Sequence, residues 1–320
     1  MNASHAPRIA SLLPSATEIV CALGLADRIV GVSHECDFPA EIRGRPVLTA
    51  PKIDPHDDSA GIHAAIERLV RDGLGVYRID DALLKAVAPD VIVTQDQCDV
   101  CAVPLADVTA AVRLVLARAV DVVSLRPSRL ADLWDDIARV GAATGASAAV
   151  GPLVDGLRAR IAALGRSAGR IVRRPRVAVI EWIEPLMVAG NWVPDLVELA
   201  GGAAHHLVEP GAHSRPVDWT ALAAYEPEVV VIAPCGFTIA HTRRDLHHLT
   251  RRPEWETLPA VRAGRVYLVD GNVYLNRPGP RLVDGGEIIA HLVHPREFPA
   301  VAGDGWATMP APTPRDRLEG

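Results

Sequence analysis

Short apolar runs alternate with stretches of helical periodicity along most of the chain. Residues 8–13 and 29–33 have the continuous apolar character of strands buried on both faces. Between them lies a helical stretch that begins with a predicted capping box, Ser15 to Glu18. Further strands are predicted at 91–94 and 119–125. Because strands separated by helices pair in parallel, the pattern predicts an α/β fold with a parallel sheet.

The second half of the chain repeats the pattern of the first. The segment from Leu222 to Val231 matches the segment from Leu84 to Val93, since each contains a helix end, a Pro-acid pair and an apolar strand. Strands predicted at 176–182 and 265–270 belong to this second set. A repeated unit predicts two similar parallel-sheet lobes with a ligand cleft between them.

Two helical stretches, at 130–141 and 148–164, connect the two halves. In the second stretch Leu153, Leu157, Ile161 and Leu164 recur at spacings of three and four, which forms one apolar stripe. A helix of ~20 residues spans about 30 Å, so we expect a long, rigid backbone helix that joins the lobes. The predicted division is an N-terminal lobe at 8–126, linking helices at 127–174, a C-terminal lobe at 175–297 and a disordered tail at 298–320.

Composition and charge exclude several classes of protein. The formal net charge is -6 with basic residues dispersed, which argues against nucleic acid as a partner. No apolar run approaches the ~18 residues of a membrane helix, so membrane insertion is not expected. Pro14 and Glu18 interrupt the apolar stretch that follows Arg8, so no signal peptide is predicted and the sequence as it stands favours a cytoplasmic location. Nucleophile elbows, phosphate loops and metalloprotease helices are not found in the sequence, and we expect no enzyme activity.

The candidate ligand-binding residues follow the predicted strands. In parallel sheets ligands bind beyond the carboxyl ends of the strands, and the loops there hold several of the chain's scarce aromatic side chains, which suit stacking on a large planar ring. The candidates are His34, Cys36, Asp37, Cys98, Trp182, Asn191, Trp192, Phe237, Asn272, Tyr274 and Arg277.

Four of the five cysteines lie in the same loops. Cys36, Cys98, Cys101 and Cys235 are candidate ligands of a metal ion or an iron–sulfur cluster, because thiolates suit zinc and iron. Two other interpretations stay open: these residues are incidental small apolar side chains, or some of them contact a bound corrinoid or haem. Cys21 lies mid-helix among apolar residues and is predicted to be a core thiol.

Two further polar groups have weaker patterns. Asp54, His56, Asp57 and Asp58 precede a helix predicted to begin near Ser59; they could bind a cation, although a solvated helix start is favoured. The pairs His205-His206 and His247-His248 have no partner at helical spacing and are interpreted as surface residues.

With the repeat, the linking helix and the loops considered together, the chain resembles the Fe/B12 periplasmic-binding family, and within it the vitamin B12-binding proteins of ABC importers. The matching stretches are 8–18, 30–39, 88–93, 191–202 and 227–232. The resemblance implies two lobes joined by a rigid helix, cobalamin as the bound ligand, and an ABC permease as partner. It places the corrinoid contacts near Cys36, Cys98, Trp192, Phe237 and residues 272–277.

Importer-docking members of the family carry an acidic residue on each lobe, where this chain has Ala82 and Thr220, with Asp81 and Asp218 nearby. The leading hypothesis is therefore a cobalamin-binding protein, with a periplasmic importer subunit as the alternative location and role. Two alternatives concern the ligand: a cytoplasmic metallocofactor protein that holds an iron–sulfur cluster or metal ion through its cysteines, and a haem or iron-siderophore binding protein.

Overall fold

The computed structural model describes residues 6–72, 74–96, 104–116, 118–301, 303 and 305–309. The chain divides into two compact units. The first comprises the residues up to Pro55, Ala64–Pro127 and Ala131–Arg158. The second comprises His56–His63, Ser128–Leu130 and the chain from Ala159 onward. Residues 56–63, which the sequence places in the predicted N-terminal lobe, thus belong to the second unit.

The described strands are β1 (Ile9–Ser11), β2 (Ile29–Val32), β3 (Thr49–Pro51), β4 (Tyr77–Ile79), β5 (Val91–Gln95), β6 (Asp121–Leu125), β7 (Arg176–Trp182), β8 (Met187–Val188), β9 (Ala203–Ala204), β10 (Arg215–Pro216), β11 (Val229–Ile232), β12 (Val266–Val269) and β13 (Trp306–Thr308). The described α-helices are α1 (Pro14–Ala22), α2 (Ser59–Arg71), α3 (Asp81–Val87), α4 (Leu105–Ala111), α5 (Asp132–Ala143), α6 (Ser147–Ala168), α7 (Val193–Leu199), α8 (Trp219–Tyr225), α9 (Ile239–Asp245), α10 (His247–Thr250), α11 (Pro259–Arg262) and α12 (Leu282–Val293).

The first unit is built on a parallel sheet in the order β2-β1-β5-β6. All three residues of β1 are buried, as expected for a central strand covered on both faces. The predicted strands are confirmed, with ends that differ by one or two residues. The short antiparallel pair of β3 and β4 was not predicted, because each strand has only three residues.

The second unit has a mixed sheet in the order β10-β8-β7-β11-β12-β13, with β9 paired to β7. Its centre, β7-β11-β12, is parallel, as predicted. The strands β8, β10 and β13 add antiparallel pairs that the sequence pattern does not show. The predicted fold class is confirmed.

The internal repeat is visible in individual hydrogen bonds. In the first unit the backbone N–H of Arg8 donates to the Asp90 carboxylate at 2.9 Å, and the Asp90 N–H donates back to the Arg8 carbonyl at 2.8 Å. In the second unit Arg176 and Glu228 make the same two bonds, at 3.1 and 2.8 Å. The Pro-acid pair before each strand therefore ties β5 to β1 and β11 to β7 in the same way.

Helix α6 forms as the apolar stripe predicts. Val154, Leu157, Leu164 and Ala168 are buried along one face, while Leu153 and Ile161 are half-buried. The residues up to Arg158 belong to the first unit and those from Ala159 to the second. In the part of the chain that the structure describes, none of the helices combines the length and apolar character that a membrane span requires.

Two expectations about the ends of elements are wrong. Helix α1 begins at Pro14 with Leu13 at its N-cap, so Ser15 lies inside the first turn, and its buried hydroxyl has no hydrogen-bond partner among the described residues. Proline suits this position because the first N–H groups of a helix are unpaired in any case. The expected disordered tail is wrong for residues 306–308, because β13 pairs with β12. Residues 310–320 lie outside the described part of the chain.

Candidate functional site

In the first unit, small polar side chains gather where β1 and β2 end. The Thr17 hydroxyl donates to Ser11 Oγ at 2.8 Å and lies 3.0 Å from the sulfur of Cys36. Ser11 and Thr17 are fully buried, whereas Cys36 is half-buried. The Cys36 thiol is therefore held in a polar setting at the edge of the sheet, as its predicted place at a strand end requires.

His34 lies in the same loop and is held as a neutral ring. Its Nδ1 is 2.8 Å from Thr49 Oγ1, and burial lowers its pKa from the usual value. The Thr49 hydroxyl donates its proton to Ser33, so it accepts from Nδ1–H of His34. We infer from this network that Nε2 of His34 carries the lone pair, and that nitrogen can ligate a metal.

Asp37 and Phe38 continue this loop and are exposed. Phe38 leaves 43% of its surface open, which is unusual for a large aromatic side chain. It was not among the candidates predicted from the sequence. The signal that could have identified it is its place in a strand-end loop, because the whole chain has three Phe residues.

In the second unit, three rings form a row beyond the ends of β7 and β11. Trp182 and Phe237 have ring centroids 5.2 Å apart, and Phe237 stacks on His241 at 3.6 Å with the planes 7° apart. Phe237 is 2% exposed, whereas Trp182 is half-buried and donates its Nε1–H to the Glu184 carbonyl. Trp182 is thus the accessible member of the row, and the other two rings support it.

Trp192 and Arg277 are buried and shape the adjacent loop. The Nε1–H of Trp192 donates to the Leu275 carbonyl at 2.8 Å, and Arg277 donates to the amide oxygen of Asn272 at 2.9 Å. Their exposed fractions are 6% and 5%. These contacts give both side chains a structural role in positioning Asn272 and Tyr274, which are half-buried in the same loop.

The loops after β11 and β12 are held together by close backbone contacts. A Cβ on Gly271 would lie 1.9 Å from the Pro234 carbonyl oxygen, so no side chain fits there. The Asn276 amide donates to the carbonyls of Ala233 and Gly271 at 2.9 and 3.0 Å. Asn191, in the loop before α7, adopts a left-handed conformation with φ of 46°. The candidate residues of this unit therefore lie on firmly held loops.

Glu181 is an ionisable residue at this edge that was not predicted. It lies in β7 next to Trp182, and burial of its carboxyl group raises its pKa to about 7, opposed by a hydrogen bond with Ser214. Near neutral pH the carboxyl group is therefore partly protonated and is able to donate a hydrogen bond. The raised pKa depends on the folded surroundings, which the sequence pattern does not reveal.

The cysteine predictions remain partly open. Cys98 and Cys101 lie outside the described residues. Cys36 belongs to the first unit and Cys235 to the second, and both are half-buried cysteines without a disulfide among the described residues. A shared four-cysteine metal site stays a prediction. Cys21 lies in α1 and is half-buried, so it is less enclosed than the predicted core thiol, although burial raises its pKa to about 12.

A cavity of about 430 Å³ in the second unit lies beside the aromatic row. Its lining includes Glu184, Leu186, Arg215, Trp219 and Arg252, none of which was a predicted site residue. The link to the row is Glu184, whose carbonyl accepts the hydrogen bond from Trp182. Arg252 and Glu184 form an ion pair at 3.0 Å on this lining.

The chain matches a known protein family and a curated relative. A family model described as periplasmic binding protein matches residues 9–273. A curated relative from Bacillus subtilis, the uncharacterized ABC transporter substrate-binding lipoprotein YvrC, is 21% identical over 294 residues, which cover 91% of this chain and 81% of the relative.

Solved structures share the fold over nearly the whole chain. A periplasmic haem-binding protein from Pseudomonas aeruginosa is 22% identical, with a TM-score of 0.67 and coverage of 92% of this chain and 95% of that one. The vitamin B12-binding protein BtuF of Vibrio cholerae is 18% identical, with a TM-score of 0.62 and coverage of 90% and 96%. A possible iron-binding protein from Staphylococcus epidermidis is 18% identical, with a TM-score of 0.68 and coverage of 91% and 100%. At these identities the likeness is one of fold.

Proposed function

Since the chain belongs to the periplasmic binding protein family, we propose that it is the ligand-binding subunit of an ABC importer, and that its ligand is a corrinoid of the cobalamin class. The observation that carries the proposal is the half-buried Trp182, backed by the buried Phe237 and His241 at the ends of two parallel strands. A rigid aromatic face supported in this way suits stacking on a macrocycle, and strand ends are where parallel sheets bind ligands.

Haem is the second candidate, and His34 is the observation that favours it. Its neutral ring, with Nδ1 bonded to Thr49, has a lone pair at Nε2 that can coordinate iron. Haem retention in proteins commonly depends on such an axial ligand, whereas cobalamin brings a nitrogen base of its own. Dependence on His34 therefore separates the two ligands.

A metallocofactor held by cysteine side chains is the third candidate. Cys36 and Cys235 support it because each is half-buried and reduced, and cysteine sulfur is a ligand that such a cofactor needs. Colour tests it directly, because an iron–sulfur protein is brown and a corrinoid complex is red.

The importer role also supports a periplasmic location over the cytoplasmic one. The relatives named above are described as periplasmic proteins or as a lipoprotein. The repeat adds an observation on the permease partner: aligning Leu84 with Leu222 pairs Asp80 with Asp218, two exposed acids that precede α3 and α8. We propose these acids, one in each unit, as the permease contacts in place of Ala82 and Thr220.

Titration of the full chain with cyanocobalamin and, separately, with haemin tests the proposal by calorimetry and absorption spectroscopy. Trp182→Ala should weaken cobalamin binding by about 1–3 kcal/mol, which is roughly 5- to 150-fold in Kd. Trp134→Ala is the matched control, because Trp134 lies under Arg158 in the first unit and is not one of the three rings of the row. Absence of cobalamin binding, or equal affinity in wild type and Trp182→Ala, would contradict the proposed ligand and site.

His34→Ala separates the two ligands in the same assay. If haem is the ligand, this variant should lose the spectrum of the coordinated iron, while Trp182→Ala alone keeps it. If a corrinoid is the ligand, His34→Ala should leave the absorption of the bound cobalt largely unchanged.

A further inference from the structure

Asp58, His247 and His248 come together in the second unit, although 190 residues separate Asp58 from His248. One ligand atom of each side chain lies within 4.8 Å of the others. The Nε2 of His248 is 3.4 Å from Oδ2 of Asp58. Both groups were interpreted from the sequence as solvated, because nothing in their spacing indicates that they meet.

The segment that carries Asp58 is firmly held. The ring of His241 bonds to the Asp57 carbonyl at 2.9 Å, and the backbone N–H of Ser59 donates to the Asp245 carboxylate. The Ser59 hydroxyl accepts from the N–H of Glu184 at 3.1 Å. Asp58 is therefore positioned beside the two histidines by contacts on both sides of it, and no separate folding of a loop is needed to form the cluster.

Each of the three side chains has an atom available for a metal. The Gly61 N–H donates to Oδ1 of Asp58 at 2.7 Å, which lowers the pKa of that carboxyl group and leaves Oδ2 directed at His248. The Nδ1 of His247 lies 3.1 Å from the Arg244 carbonyl, which can only accept, so Nδ1 is protonated and Nε2 carries the lone pair. The two histidine rings lie 4.0 Å apart, although neighbouring positions on a helix usually diverge.

We propose that Asp58, His247 and His248 bind a divalent transition-metal ion of the zinc type. Imidazole nitrogen and carboxylate oxygen are ligands that zinc prefers, at ~2.0–2.2 Å, so that neighbouring ligand atoms lie about 3.3–3.5 Å apart. The 3.4 Å separation between His248 and Asp58 already meets this value. Three protein ligands leave the fourth position open to water or an exogenous group.

A second carboxylate, that of Asp245, faces the same nitrogen of His248. Asp245 is 1% exposed, and its carboxylate lies 3.6 Å from Nε2 of His248, the atom that also faces Asp58. A carboxylate oxygen next to the proposed ligand atom favours a cation there. The proposal does not depend on the corrinoid function, since its residues lie outside the aromatic row's exposed face and outside the cysteine loops.

Zinc binding to tag-free, metal-stripped full-length protein tests the proposal by calorimetry and equilibrium dialysis. Asp58→Asn and His248→Gln should each remove one equivalent of bound zinc or raise its Kd at least ~10-fold. The control variants are His206→Gln and His213→Gln, two exposed histidines of the same unit, and both should bind as the wild type does. Cys36→Ser and Cys235→Ser should also keep this equivalent, which distinguishes it from any thiolate site.

A second measurement follows the backbone. In the wild type, zinc should slow amide hydrogen exchange in residues 56–63, because the ion links Asp58 to the histidine pair; in His248→Gln it should not. Failure of the wild type to bind zinc would overturn the proposal. Equal stoichiometry and affinity in the wild type, Asp58→Asn and His248→Gln would overturn it as well.

Discussion

Two side chains in the second unit, the half-buried Glu181 and the buried His205, have pKa values shifted towards their neutral forms. Burial raises the pKa of Glu181 to about 7 and lowers that of His205 to about 4. His205 is 3% exposed, so its interpretation as a surface residue is wrong, whereas its neighbour His206 is exposed as expected. Because one group is an acid and the other a base, they link stability to pH in opposite directions.

We expect Glu181 to make the protein less stable as pH rises. Between about 4.5 and 7 the folded state keeps a proton that the unfolded state has released, so raising the pH through this window favours unfolding. The stabilising contribution is complete below about 4.5 and lost above about 7. Glu181→Gln should therefore show a smaller loss of unfolding free energy between about pH 5 and about pH 8, measured by urea denaturation.

The matched control is Glu256→Gln, which changes an exposed carboxyl group of the same unit and should keep the wild-type pH profile. His205 is present in all three proteins, so its opposing effect cancels in the comparison. Identical pH profiles for the wild type and Glu181→Gln would show that Glu181 titrates as an ordinary exposed acid.

At the scale of elements, the two repeated helix–strand units share an unusual backbone conformation at the residue that follows the helix. Ala88 ends α3 and Glu226 ends α8 in the left-handed region, with φ of 39° and 50°, and each is followed by proline. Side chains with a Cβ adopt this conformation at a cost of about 1 kcal/mol or more. Both residues keep this conformation because the hydrogen bonds of Asp90 and Glu228 hold the following strands in register.

Ala88→Gly should stabilise the protein by about 0.5–1 kcal/mol, because glycine adopts the left-handed conformation without the steric cost. Ala86→Gly, two residues earlier on the exposed face of α3, should have the opposite sign and destabilise by about 1 kcal/mol. Chemical denaturation of the two variants beside the wild type measures both. If neither variant is more stable than the wild type, or if both are, the proposed backbone strain at Ala88 is contradicted.

Elements with strong local patterns could be predicted from the sequence, and those defined by distant partners could not. The apolar runs predict β5, β7 and β11 closely, because a central parallel strand is covered on both faces by its own unit. The two-residue strands β8, β9 and β10 form only because β7 and its neighbours provide an edge. The capping box at Ser15 fails for a local reason, since Pro14 starts the helix two residues earlier than a Ser15 N-cap would.

In the candidate site, too, local features could be predicted from the sequence and features that depend on distant residues could not. Strand-end loops correctly located Cys36, His34 and Trp182 at sheet edges, because position after a strand is a local property. Burial, in contrast, depends on residues that are distant in the sequence. Trp192 and Phe237 are residue types that often contact ligands, but other residues of their own unit bury them. Whether His34, Asp37, Asn191 and the other candidates contact a ligand stays a prediction for the titrations described above.

At the scale of the whole molecule, the two units are not consecutive stretches of chain. Residues 56–63 and 128–130 belong to the second unit, although most of that unit begins at Ala159. Arg129 and the backbone of Leu130 both donate to the Asp195 carboxylate, and Ser59 contacts Asp245 and Glu184. The C-terminal half alone therefore lacks the Arg129, Leu130 and Ser59 donors that these acidic side chains have in the full chain.

A fragment of residues 147–320, which begins with the complete α6, should be less stable than the same region in the full chain. The buried Asp245 keeps His248 at 3.6 Å but loses the Ser59 N–H, and the loss of a donor to a buried carboxylate costs about 1–3 kcal/mol. A synthetic peptide of residues 54–72 should raise the fragment's denaturation midpoint by binding its folded state. A scrambled peptide of equal composition is the control, and an equal effect of both peptides would contradict the assignment of residues 56–63 to the second unit.

Because the second unit includes residues from early in the chain, some of its contacts can form only late in synthesis. Asp58 precedes its partner His248 by 190 residues, and ribosomes add ~5–20 residues per second, so about 10–40 s pass before the partner is made. During that interval the first turn of α2 lacks the second unit that holds it, whereas the strands of the first sheet are all made by residue 125. We therefore expect nascent chains halted shortly before residue 240 to be cut by protease near residues 56–63, and chains halted after α12 has left the ribosome to resist.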